Sequence, residues 1–295
     1  MAAVVARQSY ILPRAVAPNV EIFAVGDIHG RPDLLQALLE EAGHEPRRRD
    51  RRSLVFLGDL IDRGPDSLGV IDMAIAAGER LGADDRIALM GNHEAMLRLA
   101  VEPKTPWEVA LDALAAWLRN GGAPLARQFA NFDTLPQGPE ELLTIIRVAM
   151  PQRLREWLSG LSAHCFSGSV LFVHAGVNPA MPLDAFLAAP WNVPLAELDE
   201  DQHWAWVRGP FLDVLPGPDG FAGRFVVHGH TPNDAGRTAS HDEQIARFRL
   251  NLDGGSGVTG VAKMAILRGN EARVITAMGP TNRLLSGLER GEGPL

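Results

Sequence analysis

The sequence predicts an α/β fold built from strand–helix units, and three observations lead to it. Five short apolar runs, rich in β-branched and aromatic residues, have the length of buried strands rather than helices. Helical periodicity follows the first three. Each run stops at a polar residue able to bind metal, and in sheets of this class ligands bind beyond the strand ends.

The elements follow in order. Val20–Val25 runs into Gly26-Asp27-Ile28-His29; Pro32 and Asp33 then start a helix with Leu34, Leu35, Leu38 and Leu39 on one face, ended by Gly43. Residues 53–57 run into Gly58-Asp59; past a Gly64-Pro65 turn, Leu68, Ile71 and Ile75 keep the helical period to Gly78. Residues 86–90 meet Gly91-Asn92-His93-Glu94, and residues 95–101 continue as helix. No strand is evident between Glu94 and His164, where residues 107–118, 140–149 and 153–161 read as helices. They form a helical insertion, about 95–164, in a single domain spanning 1–295 with its core at about 20–280. Val170–Val173 then meets His174, and residues 224–227 meet His228-Gly229-His230. Residues 246–252, 261–267 and 273–277 read as closing strands, and residues 286–295 as a frayed end.

With 28 Lys and Arg against 36 Asp and Glu, the net charge is −8, which argues against a nucleic-acid partner that needs clustered cations. The single Cys165 excludes a disulfide framework or a Cys-rich metal site. No apolar stretch is long enough to span a membrane, so a cytoplasmic location without a membrane partner is expected. Nine histidines stand against that one cysteine, and His29, His93, His174, His228 and His230 all lie at or just beyond strand ends.

The strand ends together supply Asp27, His29, Asp59, Asn92, His174 and His230. Oxygen and imidazole donors without thiolate suit divalent manganese, iron or zinc. Asp27 and His29 alternate, so in extended chain both side chains point one way. Six ligands are too many for one catalytic ion with open positions; they suit two ions sharing a carboxylate.

Gly26-Asp27-Ile28-His29-Gly30, Gly58-Asp59-Leu60-Ile61-Asp62-Arg63-Gly64, Gly91-Asn92-His93-Glu94, His174-Ala175-Gly176 and Gly229-His230-Thr231 resemble, in order, the five signature blocks of calcineurin-like metallophosphoesterases. The Asp-Arg-Gly and Asn-His-Glu forms resemble the bacterial serine/threonine phosphoprotein phosphatase branch. The resemblance implies a central β-sandwich of two mixed sheets flanked by helices, a four-layer fold with a helical insertion. It implies two divalent ions, manganese first and iron or zinc as alternatives. Asp27, His29 and Asp59 would hold one, and Asp59, Asn92, His174 and His230 the other, with His228 second choice for the last place. His93 would be the general acid oriented by Asp62, while Arg63, Arg208 and Asn92 would bind the phosphate. A two-metal-activated hydroxide would then attack in line, without a phosphoenzyme.

The substrate so implied is a phosphorylated protein or small phosphoester. The tetraphosphatase branch of the family tends to lose the Asp before Arg-Gly and to carry Asn-His-Asp, so Asp62 and Glu94 favour the phosphatase over a symmetrical diadenosine tetraphosphate hydrolase. A catalytically dead binding module on the same fold is the non-enzyme alternative. The tyrosine that eukaryotic members place near the metals has no counterpart, Tyr10 being far upstream, and no extension suggests a dedicated regulatory subunit.

Other features read as structural. Residues 47–52 suit a solvated loop, and Gly254-Gly255-Ser256-Gly257 a turn without a following helix start. Trp107, Trp117 and Trp157 suit packing of the insertion. Arg208 is equally compatible with snorkelling over Trp204 and Trp206.

Overall fold

Strands that are apolar on both faces must be covered on both, and this requirement generates the layers. In the computed structural model, which describes residues 4–130, 136, 138–232 and 240–281, two mixed sheets stack face to face. The first contains β1 (Val4–Ile11), β2 (Val20–Val25), β3 (Arg51–Phe56), β4 (Asp85–Ala88), β9 (Val261–Arg268) and β10 (Glu271–Met278), in the order β1-β10-β9-β2-β3-β4. The second contains β5 (His164–Ser167), β6 (Val170–Val173), β7 (Phe225–His228) and β8 (Arg249–Asn251) in sequence order. β2, β3 and β4 are parallel, as are β6, β7 and β8.

Alternation divides the side chains between two cores. Ile22, Ala24, Val55 and Leu57 meet Phe172, Phe225 and Val227 between the sheets. Phe23, Val25, Leu54 and Phe56 point the other way, onto Leu34, Leu35 and Leu38 of α1 (Pro32–Gly43) and Ile71 of α2 (Ser67–Arg80). Between β4 and β5 lie α3 (Asn92–Val101), α4 (Trp107–Trp117), α5 (Ala123–Ala130), α6 (Pro139–Ala149) and α7 (Gln152–Ser159). Among the described residues no helix is long and apolar enough to cross a membrane.

Several elements differ from the sequence reading. β1 adds an edge strand before residue 20, paired along its length with β10. Only Tyr10 of its eight residues is buried, so it carried no apolar signal. β5 has only four residues, none of them buried, and so makes no apolar run. Residues 246–252 hold only a three-residue strand, because a helix, His241–Ala246, runs up to it. The arginine run is only partly a loop: Arg51 and Arg52 belong to β3, and Arg52 is buried. The frayed end expected at residues 286–295 lies outside the described residues.

Arg52 is buried because Glu21 is. The Glu21 carboxylate, wholly excluded from solvent, accepts from Arg52 Nε and Arg268 Nε, each at 2.7 Å. Burial opposes its charge, but the two guanidinium groups outweigh burial and hold its pKa below the ordinary value. Removing one member of a buried ion network strands the others. Glu21→Ala is therefore expected to cost about 3–5 kcal/mol in urea unfolding at neutral pH; a loss below about 1 kcal/mol would mean the arginines find water instead.

Candidate metal centre

The carboxyl ends of the parallel strands in both sheets meet at one rim. There Asp59 Oδ2 lies 3.6 Å from His29 Nε2, 3.4 Å from His174 Nε2 and 4.0 Å from His93 Nε2. Asn92 Oδ1 lies 3.0 Å from His230 Nδ1 and 3.3 Å from His174 Nε2. The Asp27 carboxylate accepts from the His230 amide at 3.1 Å. All of these side chains are buried.

The backbone is bent to achieve this. His29, Asp59, Asp62, Arg63 and His230 have φ between 46° and 73°, five of the eight non-glycine residues described with positive φ. Such conformations cost about 1–3 kcal/mol each and persist where surroundings over-determine them. Glu94 supplies part of that constraint, accepting from the Asp59 and Leu60 amides at 2.8 Å and the Gly91 amide at 3.0 Å. Burial and the nearby Asp59 charge push Glu94 up to about 7. The glycines of two motifs are steric necessities: a Cβ on Gly91 would stand 2.1 Å from Asp59 Oδ1, and one on Gly229 would stand 1.9 Å from Asp27 Oδ1.

The donor set fits a divalent cation. His29 Nδ1 and His174 Nδ1 each lie 2.9 Å from a backbone carbonyl, of Ile61 and Leu57, and His230 Nε2 lies 3.2 Å from that of Trp206. Each ring's N–H thus belongs to a carbonyl, and its other nitrogen turns a lone pair inward. With the rings neutral, His174 Nε2, His230 Nδ1, Asn92 Oδ1 and Asp59 Oδ2 bring lone pairs together, an arrangement a cation resolves; burial opposes charge on His174, but Asp59 outweighs it and raises that ring, so a proton competes for the same place. The ligand atoms of Asp59, His174 and His230 all lie within 4.8 Å of one another.

Charge points the same way. Burial, then Asp253 and Asp59, push the Asp27 carboxyl well above its ordinary value. Burial opposes the Asp59 charge too, but His174, His93 and His29 around it hold its carboxyl well below the ordinary range. Burial, reinforced by Arg63, lowers His29 to about 3, so it is the neutral ring a metal requires.

Beside the cluster, His93 Nδ1 lies 2.7 Å from Asp62 Oδ2, while His93 Nε2 is buried without a partner among the described residues. Geometry groups His93 with His29 and Asp59, a place the sequence reading gave to Asp27. Arg63 Nη1 lies 3.2 Å from His29 Nε2, so this guanidinium and a cation compete for the same lone pair. Arg208, 42% exposed, reaches Glu200 at 3.4 Å, and its charge adds to burial in lowering His230. His228 turns elsewhere: its Nδ1 meets the Gly229 carbonyl and its ring packs edge-on against Phe211.

Three residues of the site escaped the sequence reading. Asp253 is buried just past β8, and burial, opposed by the Gly255 amide it accepts from, raises it to about 6. Asp253 directly follows the apolar run 246–252, so the strand-end rule that picks out Asp27 and Asp59 applies to it as well. The following segment is not merely a turn, since a one-turn helix, Ser256–Thr259, starts there. In the sequence Glu94 shows only as the last residue of the Asn-His-Glu motif. Trp117, assigned to packing, donates its indole N–H to Asp62 Oδ2 at 2.7 Å.

Cys165 stands apart on β5, where burial and then Asp85 push its thiol up to about 12. At pH 8 about one molecule in 10⁴ would carry the thiolate, against roughly a quarter for an unfolded thiol. Iodoacetamide at pH 8 is therefore expected to label Cys165 in urea and hardly at all in the native protein; rapid native labelling, read by mass spectrometry, would contradict this.

Residues 20–255 match the family model of calcineurin-like phosphoesterases. The chain is 34% identical over 167 residues to the symmetrical bis(5'-nucleosyl)-tetraphosphatase of Acidovorax sp. (strain JS42), covering 57% of this chain and 48% of that protein. It is 39% identical over 122 residues to serine/threonine-protein phosphatase 1 of Salmonella typhimurium, covering 39% of this chain and 46% of that protein. The chain thus spans about half the length of the curated relatives it matches. The crystal structure of the cold-active protein-tyrosine phosphatase of a psychrophilic Shewanella superposes with a TM-score of 0.53 at 18% identity, covering 86% of this chain and 78% of that one, a likeness of fold alone. From the match across residues 20–255, the chain belongs to the calcineurin-like phosphoesterase family.

Proposed function

We propose that the protein is a metal-dependent phosphomonoesterase of the phosphoprotein-phosphatase type. The observation that carries the proposal is the Asp62–His93 pair, whose unpartnered Nε2 opens onto the donor cluster 4.0 Å from Asp59 Oδ2. In this reading Asp27, His29 and Asp59 hold one divalent ion, and Asp59, Asn92, His174 and His230 a second, with manganese first and iron or zinc as alternatives. Bound there, the pair would supply positive charge to the phosphoryl oxygens and an acidified water. Arg63, freed from His29, binds phosphate oxygens through its planar fork, and Arg208 and Asn92 bind the phosphate as well. His93 holds a proton on Nε2 for the leaving oxygen, and Asp62 fixes the ring through Nδ1.

The second reading is symmetrical dinucleoside tetraphosphate hydrolysis, the activity for which the Acidovorax relative is named. Asp62 favours the first, because a protonated His93 delivers most to an alkoxide leaving group, whereas a nucleotide leaves readily as an anion. Manganese-supplemented protein offered a phosphoserine peptide, p-nitrophenyl phosphate and diadenosine tetraphosphate decides between them. The proposal expects both monoesters to turn over faster than the dinucleotide. Preferential cleavage of the dinucleotide into two equal halves would replace it with the second reading.

A further inference from the structure

Asp62 does its work through one oxygen. Oδ2 meets both His93 Nδ1 and Trp117 Nε1, each at 2.7 Å, whereas Oδ1 is buried without a partner among the described residues. Without the indole, the only remaining side-chain hydrogen-bond partner of that carboxylate among the described residues would be the ring it is meant to aim. A carboxylate free to rotate about its own bond cannot fix an imidazole.

The chain around Trp117 is built to deliver the indole. Trp117 ends α4, and the chain kinks at Gly121, whose φ of 103° is non-helical, before α5 begins. Gly122 leaves room for the ring, since a Cβ there would stand 2.4 Å from Trp117 Cε2. The Gly121 carbonyl accepts from the Arg63 amide at 2.9 Å, so the same kink also anchors the residue after Asp62. The ring is wholly buried and stacks on Phe129 at 6.4 Å between centroids.

We propose that Trp117 is a positioning residue for the proton donor: its indole N–H fixes the Asp62 oxygen that aims His93, so the helical segment between β4 and β5 completes the reacting site. The inference rests on the hydrolytic reading given above.

The test compares Trp117→Phe with wild type on leaving groups from 2,4-dinitrophenolate, which needs little protonation, to the serine alkoxide of a phosphopeptide. The expected loss is roughly 10–100-fold on the phosphopeptide, the scale at which an outer partner of a functional ligand acts, and under about 3-fold on 2,4-dinitrophenyl phosphate. Metal content should stay unchanged. Equal losses on both substrates, or none, would overturn the proposal, because a purely structural role slows every substrate alike. Gly122→Ala, which crowds the ring and keeps its N–H, should reproduce the same selective loss and is the second variant should Trp117→Phe fold poorly. If wild type hydrolyses neither monoester, the hydrolytic reading fails and a separate measurement decides the positioning role. In zinc-loaded protein with 15N-labelled histidine, the His93 Nδ1–H resonance, assigned by its loss in His93→Asn, should move in Trp117→Phe; an unmoved resonance overturns the proposal.

Discussion

Replacing His93 with asparagine is expected to leave about two ions bound per chain and to cut phosphopeptide turnover by roughly 10²–10⁴-fold, the usual contribution of a positioned proton donor. Two features of the site make this outcome informative. His93 Nε2 stands 4.0 Å from Asp59 Oδ2, near enough that geometry alone groups it with His29 as a possible ligand. Its other nitrogen is held by a carboxylate rather than a backbone carbonyl, unlike His29, His174 and His230. A carbonyl only fixes a neutral ring, while a carboxyl group can also exchange a proton with it: burial raises Asp62 well above its ordinary value and lowers His93 well below its own, so the pair can hold the proton between them. Asparagine keeps the bulk and polarity but offers no proton. Loss of an ion in this variant, measured by elemental analysis, would make His93 a ligand and remove it as the acid. Retained metal with undiminished turnover of a poor leaving group would remove it as both.

Most of this site was legible because strand ends advertise themselves. A buried parallel strand is a continuous apolar run, and the residue that breaks the run stands at the sheet rim. That logic brought Asp27, Asp59, Asn92, His174 and His230 together across two hundred positions, and the structure gathers them within a few ångströms. It failed where the run itself was weak. β1 exposes most of its side chains, and β5 has four residues, none of them buried. It also says nothing of residues that reach the site from outside the sheets. Trp117 sits on a helix whose apolar pattern is indistinguishable from packing, and only the 2.7 Å contact with Asp62 separates the two. Backbone strain is likewise silent in sequence: nothing in Asp59, Asp62 or Arg63 announces a left-handed conformation, because Glu94 and the close approach of Gly91 impose it from elsewhere.

Asp59→Asn should produce the complementary phenotype. Asp59 Oδ2 lies between His29 on one side and His174 on the other, and Oδ1 accepts the His93 amide at 3.1 Å, so this one carboxylate faces both halves of the donor cluster. An amide preserves the shape and the acceptor but supplies no charge and only one lone-pair oxygen. Metal content is expected to fall from about two ions to one or fewer, and turnover by at least about 10³-fold, since each ion contributes several kcal/mol of transition-state stabilisation and 1.36 kcal/mol is tenfold. Thermal melting supplies a readout independent of activity. Manganese at a hundredfold excess over its dissociation constant should stabilise wild type by about 2.7 kcal/mol per site, and Asp59→Asn should lose most of that increment while His93→Asn keeps it. If Asp59→Asn held both ions and kept its manganese-dependent melting shift, Asp59 would not be the shared ligand. The two ions would then need separate donor sets, and Asp253, buried close enough to Asp27 to raise its proton affinity, would be the first residue to test as the missing carboxylate.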